Sequence, residues 1–319
     1  ALSAQLGVST PVIVKSAAEL DRIVSESPMA PAVDPAVLRR RKLITLSVMA
    51  APHMHALDGT IANVALPHIA GTMSASYDES TWALTSYLVA NSIVLPISAF
   101  LGRLMGRKRY FLLCIVMFTV CSLLCGIATE LWQLILFRLL QGFFGGGLQP
   151  NQQAILLDYF PPEDRGKAFS VSAIAIIVAP IFGPTLGGWI TDTFSWRWVF
   201  LINVPVGVLT TLAVMQFLED PPWEKRAERG SLRIDYIGIG LIALGLGCLE
   251  VTLDRGENLD WLSSNVIRVS AVMAAVGLVG ASSIRSSVRG SARSSGAKIS
   301  RANPSMVTPS SCAADLACD

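Results

Sequence analysis

Arg107-Lys108-Arg109-Tyr110-Phe111-Leu112-Leu113-Cys114-Ile115-Val116-Met117-Phe118-Thr119-Val120-Cys121-Ser122-Leu123-Leu124-Cys125-Gly126-Ile127-Ala128 is three cations followed by a run without a single charge. A helix needs about 20 mostly apolar residues to cross hydrocarbon, and residues 110–128 meet that length. The run reads as a membrane-spanning helix, and its massed cations mark the cytoplasmic end.

The rest of the chain repeats this pattern. Only 15% of the 319 residues are charged and 52% are hydrophobic, with a mean hydropathy of +0.53. Soluble domains carry about a quarter charged residues, so the solvent for most of these side chains must be lipid. Eight spans are predicted, at 43–69, 82–101, 110–128, 132–157, 168–190, 198–217, 236–253 and 266–284. Arg39, Arg40, Arg41 and Lys42 precede the first. Arg103, Arg107, Lys108 and Arg109 fill the second-to-third connection, Arg165 and Lys167 the fourth-to-fifth, and Lys225, Arg226, Arg229 and Arg233 the sixth-to-seventh. The alternate connections are nearly bare, with 71–81 and 129–131 lacking Lys and Arg altogether. Cations on alternate sides place the N-terminus in the cytoplasm. The fold class expected is an all-α polytopic membrane protein.

Five segments follow from this reading. Residues 1–40 form a disordered cytoplasmic segment; the chain starts at Ala1, its first methionine is Met29, and 1–28 lack the apolar run of a signal peptide. Residues 41–217 carry six helices, 218–235 a cytoplasmic linker, and 236–284 two more helices. Residues 285–319 are a Ser- and Arg-rich tail, read as disordered and as a frameshifted or truncated end; reading the DNA past the codon for Ala281 tests this.

Several function classes are excluded. A net charge of +2 gives no footprint for nucleic acid. The cysteines, Cys114, Cys121, Cys125, Cys248, Cys312 and Cys318, have neither zinc-type nor CxxC spacing, and the first four read as small membrane hydrophobes. Three histidines are too few and too poorly spaced for a metal site, and no GxSxG, HExxH or phosphate-cradling loop is present. An enzyme is not expected, nor a cofactor or metal.

Ionisable groups inside the bilayer carry the functional signal, because each costs about 2.5–3.5 kcal/mol on insertion scales. The first span holds Asp58, with His53 and His55 close by; the fourth holds Arg138 and the seventh Glu250. At 1.5 Å per residue, Asp58 lies about 22 Å from the cytoplasmic end and Arg138 about 10 Å from the outer end. In a core about 30 Å thick the two coincide within a few ångströms, so they can offset each other's burial. Burial and a nearby guanidinium act on a carboxylate in opposite senses, so a change in pairing loads or releases a proton. His55, one turn before Asp58, could share that proton, or be simply a hydrogen-bonded cavity residue. A plain buried staple is the alternative for the Asp58–Arg138 pair. Glu250 is a candidate second proton or cation site.

Glycine and proline add a second signal. Residues 179–188 read Ala179-Pro180-Ile181-Phe182-Gly183-Pro184-Thr185-Leu186-Gly187-Gly188. Each proline removes a helix hydrogen bond, while Gly183 and Gly187, four apart, bare one face for close approach. Gly142 and Gly146 repeat the spacing in the fourth span. Bent, closely apposed helices suit a gate.

From about Arg41 to Ser264 the chain resembles the major facilitator superfamily, and within it the fourteen-helix drug:proton antiporters (the EmrB/QacA type). Leu57-Asp58-Gly59-Thr60-Ile61-Ala62-Asn63-Val64-Ala65-Leu66-Pro67 is similar to that branch's helix 1 signature with its acidic residue. Arg138-Leu139-Leu140-Gln141-Gly142 resembles the helix 4 signature, whose Arg the family associates with proton transfer. Gly183-Pro184-Thr185-Leu186-Gly187-Gly188 resembles the helix 5 antiporter motif, and Trp196–Gly207 and Leu253-Asp254-Arg255-Gly256 with Trp261 are further signatures. The 2–3 loop keeps Gly106, Arg107 and Lys108, but Ala99 and Arg103 stand where the motif has Gly and Asp. That substitution puts the loop's charge network in doubt. Glu250 occupies a place where an amide is expected.

The resemblance implies a six-helix N-terminal bundle, a linker and two additional helices, with the C-terminal half missing from this chain. It implies proton-driven efflux of amphipathic toxic compounds, with Asp58 as proton carrier, Arg138 as its partner, His55 nearby, and Gln141, Asn63 and Glu250 as substrate-cavity candidates. Pro180, Gly183, Pro184, Gly187 and Gly188 would seal the gate. The partners implied are the lipid bilayer, small amphipathic substrates, and by family analogy a periplasmic adaptor and an outer-membrane channel. A specific-solute transporter of the same fold and an inert fragment are the alternatives.

Overall fold

The computed structural model describes the backbone of residues 35–218 and 236–302, and the side chains of 43–174, 176–218, 237–261 and 263–283. The chain divides into residues 1–43 and 44–319, and every side chain discussed below belongs to the second unit. The linker expected at 218–235 lies, beyond Leu218, outside the described residues.

Every described element is helical: α1 (Pro35–Thr72), α2 (Tyr77–Ser80), α3 (Trp82–Met105), α4 (Arg107–Ile127), α5 (Leu131–Gly145), α6 (Leu148–Tyr159), α7 (Pro162–Thr193), α8 (Arg197–Leu201), α9 (Asn203–Phe217), α10 (Tyr236–Arg255) and α11 (Asn265–Ala302), with one 3-10 turn at Trp261–Ser263. Among the described residues, seven helical stretches are long and apolar enough to cross a membrane. The eighth expected span, α1, is long enough at 38 residues but is not among the seven. Ser47, His53, His55, Asp58, Thr60, Asn63 and His68 dilute its apolar character.

Two of the expected spans carry a turn between two helices, and one expectation needs correction. The fourth span is a single stretch long enough to cross a membrane, Leu131–Tyr159, in which α5 and α6 meet at Gly146–Gly147, both still in the right-handed helical region. The sixth span, Arg197–Phe217, likewise crosses as one stretch, with α8 and α9 meeting at Ile202, whose backbone is still helical. Pro205 lacks the N–H that would bond to the Leu201 carbonyl four residues back. Finally, helix invades both ends expected to be disordered: α1 starts at Pro35, and α11 continues to Ala302. Its Ser-, Ala- and Arg-rich residues are adequate helix formers, with no proline before Pro304.

Exposure follows an inside-out pattern. In α4 the exposed apolar residues are Leu113, Val116, Val120, Leu123 and Ile127, a stripe of alternating three- and four-residue steps. The opposite stripe, Cys114, Ile115, Phe118, Cys121, Ser122 and Cys125, is buried. Such a helix is apolar all round because both its surroundings, protein and lipid, are apolar. α7 presents Ile174, Ile177, Ile181, Phe182 and Trp189 outward in the same way.

The glycine pairs set how closely helices meet. A Cβ on Gly142 would overlap the backbone carbonyl of Tyr87, and one on Gly146 would lie 2.8 Å from the Asn91 carbonyl oxygen, so α5 and α3 touch backbone to backbone. Gly183 and Gly187 meet Thr60 and Ile61 of α1 instead. The two devices therefore serve different helix pairs. Pro180 and Pro184 point outward from α7, which runs through them as one element.

Candidate functional site

Asp58 sits midway along α1 and is completely buried. An isolated carboxylate is intolerable there, and the neighbouring helices supply its partners. Arg138 Nη1 of α5 donates to Asp58 Oδ2 at 2.6 Å. Gln141 Nε2, one turn further along α5, donates to Oδ1 at 3.2 Å, and Asn203 Nδ2 of α9 to the same oxygen at 2.6 Å. The structure thus brings together the two charges that matching depths paired in the sequence.

A second ring of contacts holds these donors. Arg138 Nη1 also donates to Gln141 Oε1 at 2.9 Å, and Cys125 Sγ lies 3.6 Å from the same acceptor. Asn203 Nδ2 reaches Ser122 Oγ at 3.1 Å, and the Ser122 hydroxyl donates to the Phe200 carbonyl at 2.9 Å. The guanidinium lies 4.0 Å from the centre of the Tyr87 ring and 5.4 Å from that of Phe200. Its Nε and Nη2 are buried with no hydrogen-bond acceptor, so aromatic faces take the place of a second carboxylate. The Tyr87 hydroxyl in turn is hydrogen-bonded to His55 Nδ1.

His55 therefore reaches Asp58 only indirectly, through Tyr87 and Arg138. The sharing of one proton between neighbours that the spacing suggested has no direct bond to support it. Gln141 was expected to line a cavity, but it is fully buried within the charge cluster. Asn63 is exposed, and five residues at 100° each place it about 140° round α1 from Asp58. Glu250 lies at the contact of α10 with α3, where Ser92 Oγ donates to its Oε2 at 3.1 Å.

Tyr87, Ser122 and Asn203 were not singled out beforehand. Each shares its span with several other polar residues, so no signal in the sequence separates them. Of the antiporter-motif glycines, Gly183 and Gly187 are packed against α1, whereas a Cβ on Gly188 would meet nothing within 4 Å.

At the cytoplasmic loop, Gly106 takes a left-handed backbone at φ 88°, which joins α3 to α4 through a single residue. Arg107 is ion-paired with Asp158 at the end of α6 and donates to the Ala154 carbonyl at 3.1 Å. Lys108 Nζ lies 3.4 Å from the Met215 carbonyl of α9. This loop thus has an acidic partner even though Arg103 replaces its Asp.

Among the described residues, no group of three or more His, Cys, Asp or Glu is placed to hold a metal ion. The cluster brings donors from α5 and α9 onto one buried carboxylate of α1.

Comparison with known proteins fits this arrangement. Residues 48–288 match the Major Facilitator Superfamily. Multidrug export protein EmrB of Haemophilus influenzae is 45% identical over 237 residues, which cover 74% of this chain and 46% of that protein. Escherichia coli K12 EmrB is 42% identical, with 74% and 45% covered, and the Fatty acid resistance protein FarB of Neisseria gonorrhoeae 40%, with 73% and 45%. The chain spans about half the length of these relatives. Among solved structures, a bacterial homolog of the lysosomal transporter Spinster aligns with TM-score 0.50 at 21% identity, covering 78% of this chain and 62% of that one. A D-xylose-proton symporter aligns with TM-score 0.50 at 15% identity, covering 75% and 66%. These two likenesses speak to the fold alone. With most of its membrane helices inside one family match, and relatives that are multidrug exporters, this multi-pass membrane chain belongs to the major facilitator superfamily.

Proposed function

We propose that this chain supplies the N-terminal six helices and two inserted helices of a proton-driven exporter of amphipathic toxic compounds. It would lie in the bacterial inner membrane with its N-terminus in the cytoplasm, as the alternation of cationic loops supports. α1 and α7 run parallel where they touch, since Thr60 and Ile61 face Gly183 and Gly187 in the same order. That direction agrees with the alternation. A periplasmic adaptor and an outer-membrane channel would be partners by analogy with such exporters.

The observation that carries the reading is the buried Asp58 with its donors on α5 and α9. A proton arriving at this carboxylate removes the charge that Arg138 faces. Arg138 then has no anion among its contacts, only the Gln141 amide oxygen and two aromatic faces. The α1–α5 contact loses its main attraction, and halves of a transporter that rock about a central site can change partner there. Drug and proton would alternate because each favours a different arrangement of the same helices.

The test is ethidium efflux in energised inverted vesicles carrying the complete transporter built on this chain. Asp58→Asn is expected to reduce pumping to the level of empty vesicles while passive dye binding persists. Wild-type pumping against a gradient by Asp58→Asn would remove Asp58 from the coupling step.

A further inference from the structure

α10 docks on α3 through a line of polar contacts. Arg255, at the end of α10, is hydrogen-bonded to the Thr81 hydroxyl, donates to the Asp78 carbonyl at 3.2 Å and stacks on Trp82 with 4.7 Å to the ring centre. Asp254 accepts from the Thr85 hydroxyl. These anchors lie at the outermost turns of α3. Ser92, the partner of Glu250, lies about 15 Å along α3 from Trp82 at 1.5 Å per residue, half the thickness of a hydrocarbon core of about 30 Å.

Along α10 Glu250 lies five residues, about 7.5 Å, before Arg255, so its carboxylate, bonded to Ser92, is inside the hydrocarbon in the outer half of the span. Its one recorded hydrogen bond is the Ser92 hydroxyl, and no ion pair to it is recorded among the described residues. The nearest guanidinium along α10, that of Arg255, is already held by Thr81 and Asp78. Glu250 is only half-buried. One turn before it Gly247 exposes bare backbone to Val89 and Ile93 of α3, which give the carboxylate an apolar flank. A carboxylate with spare lone pairs, apolar walls and no cation is complementary to a lipophilic cation, whose charge it would neutralise and whose body the walls would take.

We propose that Glu250 and Ser92 form a recognition point for the cationic head of amphipathic substrates, reached from the bilayer along the α3–α10 contact. It sits apart from Asp58, on the opposite side of α3 from the residues that pack on α5: Tyr87 and Asn91 face Gly142 and Gly146, while Val89 and Ile93 face Gly247. Glu250 would therefore favour cations over neutral or anionic compounds of the same shape, while Asp58 drives the cycle. This inference rests on the export reading for its biological meaning, but the binding it predicts does not.

Tetraphenylphosphonium and tetraphenylborate, matched in shape and opposite in charge, test it by equilibrium binding to the purified complete transporter. Binding is measured in an Asp58→Asn background so that Asp58 cannot supply the anion. Glu250→Gln is expected to weaken tetraphenylphosphonium at least tenfold without weakening tetraphenylborate, and Glu250→Asp to keep most of the preference for the cation. Unchanged tetraphenylphosphonium affinity in Glu250→Gln overturns the proposal. Equal weakening of both ions with a lowered melting temperature also overturns it, by making Glu250 a docking residue only. If Glu250→Gln does not fold, Glu250→Asp decides: loss of the cation preference with charge retained goes against the proposal. Failure of the export reading looks different, because wild-type vesicles would then not exchange dye for protons while the cation affinity still depended on Glu250.

Discussion

Removing one partner of the Asp58–Arg138 pair should harm the protein more than removing both. At 2.6 Å and an effective dielectric of 20, two unit charges attract by about 6 kcal/mol. Desolvation of two wholly buried groups cancels much of this, yet stripping one partner leaves the other charged in an apolar interior, at a cost of about 3–5 kcal/mol. Arg138→Met leaves Asp58 with its two amide donors, Gln141 and Asn203, so it should fall at the lower end. Asp58→Leu leaves the guanidinium with one amide oxygen and two aromatic faces, so it should fall at the upper end. The double variant Asp58→Leu/Arg138→Met, which fills the site with apolar volume, should recover more than half of the summed loss. The assay is thermal unfolding of the complete transporter in detergent, followed by intrinsic tryptophan fluorescence. Each kcal/mol is worth about 2–4 °C in a domain of this size, so each single variant should melt about 6–20 °C low. Additive losses in the double variant, with no coupling, would refute the argument that each charge is there to neutralise the other.

Two neighbouring contacts are testable in the same assay. Tyr87→Phe keeps the ring over Arg138 but leaves His55 Nδ1 without its partner, a loss of about 1–3 kcal/mol, whereas Tyr87→Leu also forfeits the cation–π contact, worth about 2 kcal/mol when desolvated; equal effects of the two would show that the ring contributes nothing. Gly142→Ala drives a methyl group into the Tyr87 carbonyl, which cannot rotate away, and should cost about 1–3 kcal/mol or more, while Gly188→Ala has open space and should be neutral or slightly stabilising; the reverse order of melting temperatures would mean that α3 and α5 are not in backbone contact.

Much of this fold was legible because the bilayer imposes a length and a charge rule that individual residues obey visibly. The alternation of Arg and Lys between connections needed no tertiary knowledge, and neither did the depths of Asp58 and Arg138. What sequence could not show is which way a side chain faces on a helix that is apolar all round. Gln141 and Asn63 looked alike on paper, as amides near a buried charge, yet one is sealed beside Arg138 and the other is exposed. The α5–α6 and α8–α9 turns were hidden for a related reason. A hydropathy window passes smoothly over Gly145-Gly146-Gly147 and over Pro205, because neither interrupts the apolar run.

A small set of side chains ties several helices to Asp58. Ser122 of α4 donates to the Phe200 carbonyl, three residues before Asn203. Asn203, the first residue of α9, donates at once to Asp58 of α1 and Ser122 of α4. Arg138 and Gln141 bring in α5, and Tyr87, stacked on Arg138, brings in α3. Five helices thus converge on a single carboxylate. On the proposed coupling role, a proton at Asp58 would weaken its bonds to Arg138, Gln141 and Asn203 together rather than one at a time. A small chemical change at Asp58 is therefore placed where packed helices, which cannot deform gradually, must respond as a set.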